Sequence, residues 1–294
     1  MGRASVIQIL TAYVQLTKPR IILSLLITTV PAMVLAAGGW PDTGLVVATL
    51  VGGTMAAGGA NAINMYVDRD IDQIMGRTQG RPLPSGRVRP EQALIFGAGL
   101  GVTSFVLMTV AANMLSAALA LFGLLFYVFV YTLWLKRSTP QNIVIGGAAG
   151  AMPPLVGWAA VTGDVGLPAI IMFGIIFVWT PPHFWALALN LETDYARAGV
   201  PMMPVVAGEA STRRQILVYA FILVALTLLL LPFADVSYFY LGSALTLGAI
   251  FIYLSYRLWR APTRRAAQGL FAYSLVYLAL LFTAVAVDTV ISRV

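Results

Sequence analysis

Nine long apolar segments separated by short polar connections dominate this chain of 294 residues. Each segment is close to the roughly 20 residues that a helix needs to cross a bilayer, and the mean hydropathy is +0.87. We predict an all-α polytopic membrane protein, with one integral-membrane domain covering residues 1–294. The predicted spans are 21–38, 44–64, 92–111, 115–135, 142–161, 167–190, 215–233, 237–256 and 268–290.

Polar residues concentrate outside the spans, and the longest polar connections are 65–91 and 191–214. Their length alone makes both connections candidates for function. Before the first span, residues 1–20 are expected to form a cytoplasmic, interfacial segment. Apolar side chains recur there at helical spacing, which predicts a helix lying on the membrane surface. These residues are Val6, Ile9, Leu10, Tyr13 and Val14.

Charge is distributed unequally between the two ends of the spans. The connections after spans two, four, six and eight contain arginine or lysine, whereas the opposite connections contain Asp42, Asp164 and Asp235 and no basic residue. The positive-inside rule then places the N-terminus in the cytoplasm and the C-terminus on the opposite side, although Arg293 departs from the pattern. Because topology explains the net charge of +7, nucleic acid is not an expected partner.

The composition excludes several kinds of site. There are no cysteines, which rules out disulfides, thiolate nucleophiles and cysteine metal sites. One histidine, His183, is too few for a polyhistidine metal site. A metal bound by side chains must therefore depend mainly on oxygen ligands, which favours a hard cation such as Mg²⁺.

The stretch NMYVDRDID, at the end of the second span, concentrates charge in a chain where only 10% of residues are charged. Asn64, Asp68 and Asp72 are four residues apart, so on a helix their oxygens lie along one stripe. Asp70 falls on a different face. Two carboxylates on one stripe repel each other unless a positive charge lies between them, which predicts a bound divalent cation. A single acidic residue here would be explained as a solvated helix end.

The Asn-x-x-x-Asp spacing recurs after span six, as Asn190 and Asp194. The two copies are four spans apart, and basic clusters also follow both span four and span eight. An interval of four helices keeps both copies on the same side of the membrane. This pattern predicts a parallel internal repeat with a site between its halves.

Basic residues are placed where they can share this site. Arg77 and Arg81 lie just beyond the acidic stripe, and Lys136 and Arg137 end span four. Acidic patches flanked by such cations match a magnesium-bridged diphosphate, in which carboxylates hold the metal and cations bind the remaining phosphate charge. Orientation signalling alone explains Lys136 and Arg137 equally well.

A diphosphate at the edge of a membrane bundle is expected to belong to a lipid, whose chain lies among the spans. Loss of diphosphate from an allylic chain leaves a carbocation, which needs a dry cavity and electron-rich surfaces. Aromatic residues are abundant in LFGLLFYVFVYTLWLK and FVWTPPHFWALAL, although most such residues serve packing and the membrane interface.

The acidic motifs after spans two and six resemble those of the intramembrane (UbiA-type) prenyltransferase superfamily. Three longer blocks are similar to its heme-farnesylating subfamily, the protoheme IX farnesyltransferases or heme O synthases. These blocks are NMYVDRDIDQIMGRTQGRPLPSG, YTLWLKRSTPQNIVIGGAAGAMPPLVGWAAVTG and WTPPHFWALALNLETDYARAGVPMMPVVAG. The likeness covers residues 15–215 closely. It implies a nine-helix bundle with a central cavity that opens to the cytoplasm.

The resemblance implies transfer of a farnesyl group from farnesyl diphosphate to a vinyl group of protoheme IX, giving heme O and diphosphate. It implies Mg²⁺ as cofactor, held by Asn64, Asp68, Asp72, Asn190 and Asp194, with Asn190 departing from the commoner aspartate. Asp68, Asp72, Lys136 and Asp194 are the implied catalytic residues. Arg77, Arg81, Lys136 and Arg137 are the implied diphosphate contacts. A downstream heme A synthase is the implied protein partner, besides the lipid bilayer.

His183 follows two prolines inside span six. A histidine satisfied by a helix neighbour is the simpler explanation. In a chain that resembles heme enzymes, it is also expected to contact the heme substrate and to be a candidate axial ligand of its iron.

Two alternatives remain open from the residues. A prenyltransferase for a quinone precursor explains the acidic and basic motifs but not the long blocks. An ion-coupled transporter explains carboxylates in a repeated membrane fold, although its charges would more naturally lie at the bilayer midplane. Because no Arg-rich and Ser-rich segment precedes the first span, a bacterial plasma membrane is the expected location.

Overall fold

The computed structural model describes residues 6–292, and this part of the chain is helical along most of its length. A π-helical segment, Phe126–Leu135, joins α6 to α7. The helices are α1 (Val6–Thr17), α2 (Pro19–Ala37), α3 (Thr43–Val67), α4 (Arg69–Ile74), α5 (Pro90–Ala111), α6 (Met114–Leu125), α7 (Lys136–Ser138), α8 (Asn142–Thr162), α9 (Leu167–Asn190), α10 (Glu192–Arg197), α11 (Met203–Leu229), α12 (Tyr238–Arg260) and α13 (Arg264–Ile291).

Nine helices in residues 6–292 are long and apolar enough to cross a membrane. This confirms the predicted all-α, nine-span architecture. The fourth span, Met114–Ser138, combines α6, the π-helical segment and α7.

The seventh span differs most from its predicted bounds. It begins at Met203 rather than near residue 215, so helix replaces much of the predicted connection 191–214. Gly208 interrupts this helix with φ 76° and ψ 161°. A positive φ is accessible to glycine at little cost, which allows two helical pieces to join end to end at an angle. The predicted bounds were wrong because hydropathy does not register a polar turn of helix outside the apolar run.

The N-terminal helix α1 exposes the apolar residues that suggested a surface helix. Val6, Ile9, Leu10 and Val14 are exposed, whereas Tyr13 packs edge-on against Phe96 of α5. An apolar face left uncovered by protein suits a helix lying on lipid.

The pairing of helices repeats along the chain. α3 packs on α5, α5 on α6 and α6 on α8; four spans later, α9 packs on α11, α11 on α12 and α12 on α13. α2 packs against helices of both halves, α8 and α13. The order of packing agrees with the predicted internal repeat, in which α9 corresponds to α3.

One buried acid, Asp288 of α13, has a structural explanation. Its carboxylate accepts hydrogen bonds from the backbone N–H groups of Ser237 and Tyr240, at 2.5 and 3.2 Å, and from the Ser237 hydroxyl. These groups form the first turn of α12, where the helix dipole favours a negative charge. Asp288 therefore caps a neighbouring helix.

A close backbone contact joins Gly59 of α3 to Gly97 of α5. A Cβ added to Gly59 would lie 2.6 Å from the carbonyl oxygen of Gly97, and one added to Gly97 would lie 2.8 Å from the carbonyl oxygen of Gly59. Small residues permit close approach of helices in membranes. This contact holds the segment of α3 that precedes Asn64.

We expect Gly59→Ala to lower the free energy of unfolding by about 1–3 kcal/mol, because the added methyl group forces the two backbones apart. Gly53→Ala is the matched control on the same helix, since its Cβ would meet no atom within 4 Å. Helix propensity predicts no loss for the control. Thermal unfolding of both purified variants in one detergent measures the difference, and equal midpoints would contradict the close contact.

Candidate active site

The first acidic motif lies at the junction of α3 and α4. Asn64 is in the last turn of α3, Asp68 links the two helices, and Asp72 lies in α4. All three are buried, with Asp68 at 0% and Asp72 at 1% exposure. By contrast, 60% of the Asp70 side chain is exposed. The stripe predicted by the four-residue spacing is therefore present, with Asp70 on another face.

Each member of the stripe has a basic partner. Lys136 forms an ion pair with Asp68, and Arg81 donates from one Nη to both oxygens of Asp72 at 2.8 Å. The amide of Asn64 donates to Asp68 at 2.7 Å. Buried carboxylates need such partners, because transfer from water to the protein interior penalises the charged form.

Lys18 is a member of the site that the sequence did not reveal. Its ammonium donates to the Asn64 side-chain oxygen at 2.7 Å. The backbone of Lys18 has φ 55°, an unusual conformation for a residue other than glycine. Burial lowers the pKa of Lys18 to about 7; the charges of Arg81 and Lys136 add to the lowering, and those of Asp68 and Asp72 oppose it.

The bend between α1 and α2 carries Lys18 to this position. Pro19 begins α2, and the Thr17 carbonyl accepts a hydrogen bond from Asn61 of α3 at 2.9 Å. The bend is thus attached to α3 one turn before Asn64. From sequence, Lys18 looked like a topology signal only, because nothing local shows that α1 folds back onto α3.

The π-helical segment brings another unpredicted group, Thr132, to the motif. Its hydroxyl donates to the carbonyl of Tyr127, five residues earlier, at 2.9 Å, and accepts from Asn64 at 3.0 Å. Tyr127 and Tyr131 stack with ring centroids 5.3 Å apart. A π-helical turn shifts the register of the residues that follow it, and such turns recur at functional sites. Here Lys136 comes directly after the segment.

Arg137 faces the outer side of the same motif. It donates to both oxygens of Asp70 at 2.8 Å, and this hydrogen bond lowers the pKa of Asp70 to about 2. Its guanidinium also lies 3.7 Å from Oδ1 of Asp68. That oxygen is buried and has no hydrogen-bond partner within residues 6–292.

The second acidic motif spans the junction of α9 and α10. Asp194, in α10, forms an ion pair with Arg197. Asn190 ends α9, where its amide donates to the Ala186 carbonyl at 3.2 Å. Asn190 lines a cavity that neither Asp194 nor the first motif lines. α9 ends and α10 starts between the two residues, and a metal ion shared by Asn190 and Asp194 stays a prediction.

The two motifs meet through an apolar cluster. Ile71 and Met75 from the first loop pack in one cluster with Ala188 and Tyr195 from the second. Burial raises the pKa of Tyr195, while the charges of Arg77 and Arg81 act in the opposite direction. Arg77 itself is exposed. The two loops therefore lie against each other, with the basic residues of the first directed near the second.

The donor set fits a hard divalent cation. Asn64, Asp68 and Asp72 offer amide and carboxylate oxygens, the ligands that Mg²⁺ prefers, and Oδ1 of Asp68 is buried without a hydrogen bond. Within residues 6–292, no three carboxylate, imidazole or thiolate groups lie close enough to hold a metal together. The remaining coordination must come from the Asn64 oxygen, substrate phosphate or water.

His183 lies deeper in α9, between two aromatic rings. Trp179 stacks on it with centroids 4.3 Å apart, and Phe271 of α13 stacks on it at 4.6 Å. The indole N–H of Trp179 donates to the carbonyl of Ser274 at 2.8 Å. Both ring faces of His183 are therefore covered, and only its edges remain for polar contacts.

The protonation of His183 follows from its bond with Ser274. The Ser274 hydroxyl donates its single proton to the Phe271 carbonyl at 2.6 Å, and His183 Nδ1 lies 2.6 Å from the same oxygen. Because that oxygen has no second proton to give, Nδ1 must be the donor. A neutral His183 thus carries its lone pair on Nε2, the nitrogen left for a ligand.

Solved structures share this arrangement of helices. A digeranylgeranylglyceryl phosphate synthase structure aligns with a TM-score of 0.78 at 20% identity, over 96% of this chain and 99% of the other. A UbiA homolog from Archaeoglobus fulgidus, solved with GPP and Mg²⁺, aligns with a TM-score of 0.67 at 16% identity, over 93% and 99%. At these identities the likeness concerns the fold alone.

Relatives named protoheme IX farnesyltransferase are more similar in sequence. One from Gloeobacter violaceus is 54% identical over 96% of this chain and 92% of the relative. One from Clavibacter michiganensis is 52% identical over 94% and 92%. A third, from Chloroflexus aurantiacus, is 54% identical over 95% of this chain, which spans about half, 48%, of that longer relative.

The family match includes both acidic motifs together with Arg77, Arg81, Lys136 and Arg137, whereas Lys18 lies before the matched range. The model of the UbiA prenyltransferase family matches residues 25–284. This range covers most of the chain, from α2 into α13. The chain therefore belongs to the UbiA prenyltransferase family.

Proposed function

We propose that this protein transfers a farnesyl group from farnesyl diphosphate to a vinyl group of protoheme IX, forming heme O. The names of relatives at 52–54% identity support this substrate pair. The observation that carries the proposal is the buried Asn64–Asp68–Asp72 stripe with a basic partner at each member. Such a site suits a diphosphate leaving group.

The reaction balances as a substitution at an allylic carbon. The bond between C1 of the farnesyl group and the diphosphate oxygen breaks, and its electron pair leaves with the diphosphate. The vinyl group supplies the electron pair for the new carbon–carbon bond. Water then adds to the cation left on the porphyrin side chain and loses a proton, which leaves a hydroxyl group.

The cations of the first motif have a role in leaving-group departure. Bound Mg²⁺, which the UbiA homolog from Archaeoglobus fulgidus holds together with GPP, would supply charge neutralisation for the diphosphate. Asn64, Asp68 and Asp72 are the proposed ligands. Asp194 stays a predicted ligand, because residues 6–292 bring no third carboxylate close enough to share a metal with Asp68 and Asp72. Asp68 and Asp72, when holding the metal, would leave Lys136 and Arg81 free to bind phosphate oxygens.

Lys18 is a further cation available to the diphosphate. Arg81 and Lys136 pair with Asp72 and Asp68, whereas Lys18 bonds only the amide oxygen of Asn64, so a protonated Lys18 is available to an anionic substrate. We include Lys18 with Arg77, Arg81, Lys136 and Arg137 among the diphosphate contacts. The metal role of Asn190 stays a prediction.

The alternatives are less well supported. A transporter would place its ion site near the bilayer midplane, whereas Asp68 and Asp72 lie at and beyond the end of α3. A prenyltransferase for a quinone precursor would share the diphosphate site. The named relatives favour heme as the acceptor.

Heme is proposed to meet the protein at His183. Nδ1 is engaged by Ser274, and a fixed partner on one ring nitrogen is typical of histidines that bind a metal through the other. Nε2 would bind the iron of the substrate heme. This position on α9 is two turns before Asn190, where the chain enters the second loop.

The nine apolar helices of residues 6–292 and the family show a multi-pass membrane protein. We propose a bacterial plasma membrane, a cytoplasmic N-terminus and a C-terminus on the opposite side. A cavity opening to the cytoplasm and a downstream heme A synthase belong to the same proposal. The charge asymmetry of the connections supports the orientation.

Asp68→Asn should lower heme O formation by at least about 100-fold, because it removes a charge that acts on the leaving group. Mass spectrometry of heme extracted after incubation with farnesyl diphosphate and Mg²⁺ measures the product. Asp164→Asn, in the connection between α8 and α9, is the matched control and should keep activity. Normal turnover by Asp68→Asn would refute the metal assignment.

His183→Ala should shift the Soret band of bound heme and weaken heme binding about 10-fold or more, because the iron loses its ligand. Ser274→Ala should weaken binding in the same direction, whereas Ser274→Thr retains a hydroxyl and should not. Absorbance titration of each variant with heme is the measurement. An unchanged Soret band in His183→Ala would exclude iron ligation and leave the residue a packing role.

Orientation can be measured with cysteines introduced at the two ends of α8, since the chain contains none. Gln141→Cys and Val165→Cys place thiols at exposed positions just outside that helix. In intact cells, a membrane-impermeant maleimide should label position 165 and not position 141. The reverse pattern would invert the proposed topology.

A further inference from the structure

A cavity of about 350 Å³ lies apart from the acidic stripe, at the end of the helices where α9 finishes and α13 begins. Its walls come from α9, α10, α11, α12 and α13. None of the first-motif residues lines it. Its volume is within the range of about 300–1,000 Å³ that small-molecule sites occupy.

Two buried polar atoms on its lining residues have no partner in the described chain. They are the side-chain oxygen of Asn190 and Nε of Arg213. The first can only accept a hydrogen bond and the second can only donate one. Buried polar groups in proteins are nearly always satisfied, so an acceptor and a donor left open beside one cavity indicate a ligand with both kinds of group.

The guanidinium of Arg213 is oriented by its neighbour on α11. One Nη donates to Glu209 at 2.6 Å, four residues earlier on the same helix. This bond leaves the edge that contains Nε for another partner. The free edge of an arginine presents two parallel N–H groups, a geometry that matches phosphate or carboxylate oxygens.

The remaining charges of the cavity are opposite in sign and come from different helices. Arg264 lies at the start of α13, and Glu192 lies at the start of α10. Neither forms an ion pair within residues 6–292. The donors Arg213 and Arg264 thus belong to α11 and α13, whereas the acceptors Asn190 and Glu192 belong to the α9–α10 junction. A simple anion or a simple cation would satisfy only one of these sets.

The position of the cavity is that of lipid headgroups. It lies where four membrane-spanning helices reach their ends, and Leu189, Leu258 and Ala267 provide apolar wall beside the charged residues. A polar cavity with an apolar side at this depth suits an amphipathic ligand.

We propose that this cavity binds the headgroup of a phospholipid that carries a phosphate and a primary ammonium, such as phosphatidylethanolamine. The phosphate binds Arg213 and Arg264. The ammonium donates to the Asn190 oxygen and to Glu192. Phosphatidylcholine cannot make the second contact because a trimethylammonium has no N–H to donate. Phosphatidylglycerol can donate from its hydroxyl groups, but it has no positive charge to pair with Glu192.

This site is separate from the proposed farnesyl transfer, and the two can fail independently. A lipid headgroup in the cavity would bind the Asn190 oxygen in the absence of Mg²⁺. The metal role predicted from sequence requires Mg²⁺ at that oxygen. Lipid binding is therefore measured with and without EDTA. Equal binding in both conditions supports the headgroup, and loss of binding with EDTA overturns it.

The experiment uses the full chain, delipidated in detergent and titrated with dioleoyl phosphatidylethanolamine, phosphatidylcholine or phosphatidylglycerol under native mass spectrometry. Phosphatidylethanolamine should bind about 10-fold more tightly than the other two. Glu192→Gln and Arg264→Gln should each remove that preference. Arg265→Gln is the matched control, since Arg265 follows Arg264 on α13 but does not line the cavity.

Three outcomes would overturn the proposal. Equal affinity for phosphatidylethanolamine and phosphatidylglycerol would show that the ammonium makes no contact. An unchanged preference in both Glu192→Gln and Arg264→Gln would place the lipid elsewhere. Competition by free phosphoethanolamine at the affinity of the lipid would assign the cavity to a soluble zwitterion instead of a membrane headgroup.

Discussion

The ion pair of Asp68 with Lys136 is the interaction on which the site depends. Asp68 is fully buried where α3 ends, and a buried carboxylate is tolerated only with close compensation of its charge. Three separate parts of the fold provide that compensation around the stripe. The α1–α2 bend provides Lys18, the loop after α4 provides Arg81, and the π-helical segment leads into Lys136. The site is therefore assembled from distant parts of the chain around one acidic stripe.

Features with a local cause could be predicted from the sequence. A helix long enough to cross a bilayer has a fixed length and an apolar composition, so the nine spans followed directly. The spacing of Asn64, Asp68 and Asp72 placed them on one side of the chain because helical geometry depends only on residue number. The separate position of Asp70 followed from the same helical geometry. Its ion pair with Arg137 could not be predicted from that geometry.

Features that depend on long-range contact could not be predicted. Lys18 acts 46 residues away from Asn64, and its local sequence resembles any basic residue before a membrane span. Thr132 reaches Asn64 because of a π-helical register, which hydropathy does not detect. Asn190 matched a spacing, but its side-chain oxygen is left without a hydrogen-bond partner in residues 6–292, beside a cavity that Asp194 does not line. No sequence pattern marked Ser274 as a site residue, since it contacts His183 only because α13 packs against α9.

The π-helical segment in the fourth span has an evolutionary consequence. Each residue of an α-helix rotates the next by about 100°, so a one-residue deletion between Phe126 and Leu135 would swing Lys136 away from Asp68. A deletion here and a compensating insertion would have to arise together, or the buried acid would lose its counter-charge. Insertions and deletions should therefore be rarer in this segment than in α12, whose charged residues, Arg257 and Arg260, are exposed at its last turn and pair with no buried acid of residues 6–292.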